Sequence, residues 1–211
     1  MKRVVFIYIF SFIGLFLSCK GKEGREVEKV GDVKMICIVP VGKIDEKILS
    51  FLCPKLKEVY NMEVEIKEGL DLPNYAYNPE RKQYLSTAIL NKIKGTKLVQ
   101  CEKILGIVDV DLYVPSLNFV FGGADLSGKA CVISVTRLRQ EYYDLPKNEK
   151  LFEQRILKEA VHELGHTFGL SHCPDIKCVM HFSNRLSDTD IKSHTFCPSC
   201  RSALGGLGID K

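Results

Sequence analysis

The sequence has 211 residues, 45% of them hydrophobic and 27% charged, enough to bury one ordinary core and too apolar for a disordered chain. Its formal charge is +4, and setting aside Lys2 and Arg3, which lie in a segment read below as removable, leaves +2, which gives no electrostatic footprint for nucleic acid. Tryptophan is absent, and neither an internal repeat nor a low-complexity tract is present.

Residues 1–18 read as an export signal. Lys2 and Arg3 form a basic start, and the apolar run Val4 to Leu17 would span roughly 21 Å as a helix at ~1.5 Å per residue, short of a ~30 Å hydrocarbon core. Phe16-Leu17-Ser18-Cys19 follows. A small residue before a cysteine at the end of such a run resembles a bacterial lipoprotein signal, which implies lipidation of Cys19 and an exported, membrane-anchored protein. Simple cleavage, giving a secreted or soluble chain, and a retained short anchor are the alternatives. Residues 19–31 are charged and glycine-bearing and read as a tether, so the folded domain is expected over 32–211.

Within that domain, Val33 to Val39 is predicted as a buried strand and Ile44 to Tyr60 as a helix that Pro54 kinks or divides. Met62 to Ile66 alternates as a strand, Asp71 to Asn78 reads as loop, and Pro79 is expected to open a helix to about Lys94. Ile104 to Val110 and Ala130 to Val135 are further buried strands, with a short strand at Asn118 to Phe121 that ends at Gly122-Gly123. Leu151 to Gly169 is a helix expected to bury Phe152, Ile156, Leu157, Ala160, Val161 and Leu164 and to turn Glu153, Gln154 and Lys158 outward. Strands alternating with helices, then a helical end, predict an α/β domain with a mixed sheet.

Chemistry concentrates at the end of that last helix. His162 and His166 are i and i+4, so they share one helical face and can approach a single ion, with Glu163 beside them. Gly169 can leave the helix through a positive φ and turn the chain so that His172 supplies a third ligand. Three protein ligands leave a fourth position for water, the mark of a catalytic rather than a structural zinc site.

Nine cysteines divide into two groups. Cys173, Cys178, Cys197 and Cys200 form two close pairs, one with CxxC spacing, as in a four-thiolate zinc site; two disulfides are the competing reading in an exported protein. Cys37, Cys53, Cys101 and Cys131 sit in apolar runs and are taken as small buried hydrophobes, with a pairing between two of them as the alternative. Asp109, Asp111 and Asp125 read as loop carboxylates rather than calcium ligands, and His181 and His194 as non-ligands, with a substrate-side role for His181 left open.

The string H-E-x-x-H-x-x-G-x-x-H, followed at once by C-x-x-x-x-C-x-M and later by C-x-x-C, resembles the archaemetzincin family of zinc metallopeptidases. The resemblance covers residues 162–200 in its motifs and, through the strand order and the 118–122 segment, extends over 33–205. It implies a metzincin-like catalytic domain with a zinc-stapled C-terminal subdomain and two zinc ions per chain. It further implies a catalytic zinc on His162, His166 and His172 with Glu163 as general base, and a structural zinc on Cys173, Cys178, Cys197 and Cys200. Met180 would turn beneath the catalytic metal, and Asn118, Phe119, Val120, Phe121 and Gly122 would form the edge strand against which an extended peptide pairs. The export signal departs from that family. Peptide-bond hydrolysis by a monomer is therefore the expected activity, with a non-catalytic, zinc-stabilised surface binding protein as the alternative.

Overall fold

In the computed structural model, which describes residues 34–205, two sheets and five α-helices form the domain. The main sheet is built from β1 (Met35–Val41), β2 (Glu63–Ile66), β5 (Lys103–Val108), β8 (Ala130–Ser134) and β7 (Gly122–Ala124), in the order β2-β1-β5-β8-β7. All neighbours are parallel except β7, which runs antiparallel to β8 and closes one edge. A small second sheet holds β3 (Tyr77–Asn78), β4 (Gln83–Leu85) and β6 (Leu112–Tyr113).

The central strands are apolar at nearly every position because helices cover both faces of the sheet. Alternation along β1 sends Ile36 and Ile38 to one core and Cys37, Val39 and Val41 to the other. The first core is covered by α1 (Glu46–Tyr60) and α3 (Glu149–Thr167), the second by α2 (Ser86–Lys94). Asp45 caps α1 by accepting from the Lys47 N–H. Tyr60, fully buried, donates from its hydroxyl to the Val161 carbonyl at 2.8 Å and so ties α1 to α3. Two shorter helices, α4 (Leu186–Ile191) and α5 (Pro198–Gly205), complete the C-terminal part.

The mixed α/β class and the buried strands follow expectation, and several element bounds do not. Pro54 neither ends nor divides α1, whose face of Leu49, Leu52, Leu56 and Tyr60 is held by the core on both sides of it. Likewise β1 continues through Pro40, whose carbonyl accepts from Leu70 N–H. Pro79 opens no helix. Asn78 Oδ1 accepts from the N–H groups of Glu80 and Arg81, which makes the Asn-Pro pair a turn between β3 and β4, and α2 begins only at Ser86. The span read as plain loop also holds a 3₁₀ turn at Asn74–Ala76 and β3.

Asn118 to Phe121 is not a strand. The Arg81 guanidinium draws off the carbonyls of Leu117 and Asn118, Val120 makes an isolated bridge to Leu112, and the edge strand starts at Gly122. In α3 the six expected core residues are buried, but so is Lys158, which donates to the carbonyls of Thr189 and Asp190 in α4 instead of facing water. Cys37 and Cys101 form a disulfide inside the second core, so they are not separate small hydrophobes, whereas Cys131 is free and buried and Cys53 free and half-buried. Among the described residues no helix is long and apolar enough to cross a membrane. The export signal, Cys19 and the 19–31 tether lie outside the described residues.

Candidate metal centre

The site is assembled by one helix and its exit. Asn148 caps α3 by accepting from Leu151 N–H, and the helix runs unbroken beneath the sheet edge to Thr167. At its end Gly169 adopts φ +89°, Gly169 N–H donates to His166 O at 2.9 Å, and Leu170 N–H donates to Gly165 O at 3.1 Å. This pair of bonds is a Schellman closure, and it reverses the chain so that His172 returns toward the face carrying His162 and His166.

The ring nitrogens of His162, His166 and His172 lie within 4.8 Å of one another, with His162 Nε2 and His166 Nε2 only 3.1 Å apart. The other nitrogen of each helical histidine is committed: His162 Nδ1 donates to Val179 O at 2.8 Å and His166 Nδ1 to Leu170 O at 2.7 Å. Those bonds fix the tautomer that leaves both Nε2 lone pairs facing the common point, as metal-ligating imidazoles require. Burial pushes His162 well below the ordinary imidazole range and lowers His166 and His172 as well, so the trio is held neutral. Three neutral imidazoles converging in this way fit a zinc ion.

Glu163 is buried beside them. Desolvation, and then the neighbouring Glu159 carboxylate, raise its pKa to about 8. Strand β7 presses so close that a Cβ on Gly122 would stand 2.8 Å from Glu163 Cγ and Oε1. A cavity of about 430 Å³ opens above Glu163 and the three histidines. Its walls include the segment from Phe119 to Ala124, together with Leu126 and Phe182. Thus Phe119, Val120, Phe121 and Gly122 reach the cavity as expected, while Asn118 does not line it and accepts from Arg81 and Gln83 through its carbonyl.

Met180 is fully buried under α3, its sulfur against Gly165. On the far side of the turn, Cys173, Cys178, Cys197 and Cys200 bring four sulfur atoms within 4.8 Å of one another, with no S–S bond among them. Cys197 N–H donates to Cys178 Sγ at 3.3 Å, and the backbone N–H of Cys200 holds the Cys197 thiol below its ordinary range. Four convergent sulfurs, two of them receiving backbone N–H donors, fit a closed tetrahedral zinc site. Because Cys173 directly follows His172, the two clusters share one short piece of chain.

The remaining sequence candidates stand apart. His181 turns Nδ1 to the Cys173 carbonyl, 3.0 Å away, and neither it nor His194 joins the trio. Asp109, Asp111 and Asp125 are held by Arg139, Arg137 and Lys94. Sequence reasoning misses Glu159, Thr189 and Lys192, a buried polar group behind His162. A carboxylate one turn before Glu163 on the same helical face is the one signal the sequence carries for it.

The model of peptidase family M54 matches residues 41–205. An archaemetzincin of Methanocaldococcus jannaschii is 45% identical over 177 residues, covering 84% of this chain and 96% of that one. The crystal structure of archaemetzincin from Methanopyrus kandleri superposes with a TM-score of 0.75 at 39% identity, covering 86% of this chain and 99% of that one. The structure of a zinc-dependent peptidase from Methanocorpusculum labreanum gives a TM-score of 0.72 at 28% identity, covering 80% and 99%.

Proposed function

The chain belongs to peptidase family M54 and is a zinc metallopeptidase, and from that premise we propose that His162, His166 and His172 hold its catalytic zinc while Glu163 is the general base. One observation carries this reading: three imidazoles, two of them with their tautomers fixed by backbone carbonyls, and one carboxylate converge on the floor of a single cavity beside a sheet edge. Bound there, zinc supplies Lewis acidity, polarising a carbonyl and lowering the pKa of water toward ~7. Glu163 takes the proton from water and later delivers it to the departing amine. Its raised pKa suits a group that must hold a proton between those steps.

The substrate is a peptide or protein in extended conformation. Strand β7 ends the main sheet, so its outer edge offers main-chain hydrogen bonds to an added strand. The segment that does this is Gly122–Ala124, with Phe119 and Phe121 forming an apolar wall leading to it. Cys173, Cys178, Cys197 and Cys200 hold a second, structural zinc, giving two per chain. The Cys37–Cys101 disulfide supports folding in an oxidising compartment, in keeping with export and a lipid anchor on Cys19.

Zinc counting together with cleavage of a peptide library tests the reading. Two zinc ions per chain, cleavage by the wild type and none by Glu163→Ala that still carries zinc are expected. A Glu163→Ala variant as active as wild type would remove the mechanism, and a metal-loaded wild type that cleaves nothing would favour a binding protein. For the anchor, Cys19→Ser is expected to lose labelling by radioactive acyl chains; retained labelling would remove it.

A further inference from the structure

Beside His162 lies a buried polar group, its Glu159 bordering the cavity, to which the hydrolytic mechanism assigns no role. Lys192 has a fully buried side chain, and its Nζ lies 3.1 Å from Glu159 Oε1 and 3.4 Å from the carbonyl oxygen of His181. It also lies 3.4 Å from His162 Nδ1. Glu159 Oε1 accepts in addition from Thr189 Oγ1 at 3.1 Å. An ammonium can only donate, so at His162 Nδ1 it competes with the Val179 carbonyl, which needs that nitrogen to carry a proton. Were Lys192 to win, the imidazole would place its N–H on Nε2, and Nε2 could no longer bind a cation.

We propose that Glu159 is a positioning residue that draws Lys192 away from His162 and so keeps the imidazole in its metal-binding tautomer. The geometry divides the donors in that sense. Lys192 has nearer, charged Glu159 at 3.1 Å, while Val179 O holds His162 Nδ1 at 2.8 Å. The pair also pins the turn after Met180 to α3, because the same ammonium reaches the His181 carbonyl. This inference rests on the reading of His162 as a zinc ligand.

The test uses the full chain, with zinc titrated against a chromophoric chelator after the thiolate cluster is filled. The tautomer of His162 is read separately by ¹H–¹⁵N correlation of its ring with the histidine site empty. Wild type is expected to show the proton on Nδ1. Glu159→Gln is expected to move it toward Nε2 and to weaken zinc at the histidines by roughly 10–100-fold. Adding Lys192→Met removes the competing donor and is expected to return the tautomer, and zinc affinity to within about threefold of wild type. Loss of packing alone would lower the melting temperature without moving the ring proton.

A wild type with its proton on Nε2, or a folded Glu159→Gln indistinguishable from it, would overturn the proposal alone. Wild-type histidines that take no zinc would overturn the metal reading and the proposal with it. Should Glu159→Gln not fold, the Glu159→Gln/Lys192→Met chain carries the test, and a folded chain of that kind binding zinc about tenfold more weakly than wild type would overturn it.

Discussion

The sulfur of Met180 stands where a side chain on Gly165 would begin: a Cβ there would lie 2.5 Å from Sδ and 3.2 Å from Cε. Gly165 sits between His162 and His166 on α3, so the glycine lets the turn carrying Met180 close directly under the two helical histidines. The same turn supplies Val179 O to His162, which means that the packing contact and the tautomer-fixing bond come from adjacent residues.

Gly165→Ala is therefore expected to push this turn away from the helix. Overpacking of a well-filled core typically costs about 1–3 kcal/mol, and here it falls on fully buried Met180. Urea unfolding should show that loss. Pairing the change with Met180→Ala should destabilise by less than the two single changes added together, because the larger residue at 165 occupies space that the truncated methionine vacates.

Gly122→Ala tests the other wall. A Cβ at Gly122 would meet Val132 O at 2.7 Å and the Glu163 side chain at 2.8 Å, so either β7 moves off β8 or the carboxylate swings away from its place. Misplacing a catalytic group by about 1 Å can cost on the order of 10²-fold in rate. The expected outcome is kcat reduced at least tenfold with the zinc content of the wild type unchanged, measured by peptide turnover and metal counting.

How much of this is legible in the sequence depends on how far apart the deciding residues lie. His162, His166, Gly169 and His172 are legible because helix periodicity and a C-terminal glycine act within a few residues. The edge strand is misplaced because its start is decided by Arg81, far back in the chain, taking the carbonyls of Leu117 and Asn118. No local pattern records that bond. Cys37 and Cys101 look like any buried cysteine until the fold brings them together across a separation of 64 residues. Lys158 reads as outward-facing because its charge is weighed against bulk water, whereas α4 presents two free carbonyls to it.

The raised pKa of Glu163 makes the stability of the metal-stripped protein depend on pH. Its folded value of about 8 lies above the ordinary 4.5, so the folded chain holds the proton that the unfolded chain has already lost. That contribution is fully present below about pH 4.5 and disappears as the pH rises through about 8. The three histidines act in the opposite sense: their lowered values add stability above the ordinary imidazole pKa of about 6.5 that is lost as the pH falls. Glu163→Gln removes only the first dependence. Between pH 7 and 9 the metal-free wild type is expected to lose stability relative to Glu163→Gln, by an amount on the order of a few kcal/mol at most. Thermal unfolding of both proteins across that range checks it, and parallel curves would place the carboxylate in a less buried setting than the fold describes.

The cysteine cluster and the histidines are joined by the peptide bond between His172 and Cys173, and Cys173 N–H further donates to Met180 O at 2.9 Å. Of the three histidines His172 is the most exposed, and it lies outside α3, so its position depends on this anchor. Removing half of the sulfurs by Cys197→Ser/Cys200→Ser should release α5 from the turn and leave Cys173 with Cys178 as its one remaining convergent partner. The expected outcome is a chain with at most one zinc, whose histidines bind it roughly 10–100-fold more weakly, as for loss of a residue that orients a ligand. The helical content of α3 should persist, since its cap at Asn148 and its buried face against α1 are untouched. Zinc competition beside far-ultraviolet circular dichroism separates the two effects. Unchanged affinity at the histidines would show that Leu170 and the closure at Gly169 are sufficient to hold His172 in place.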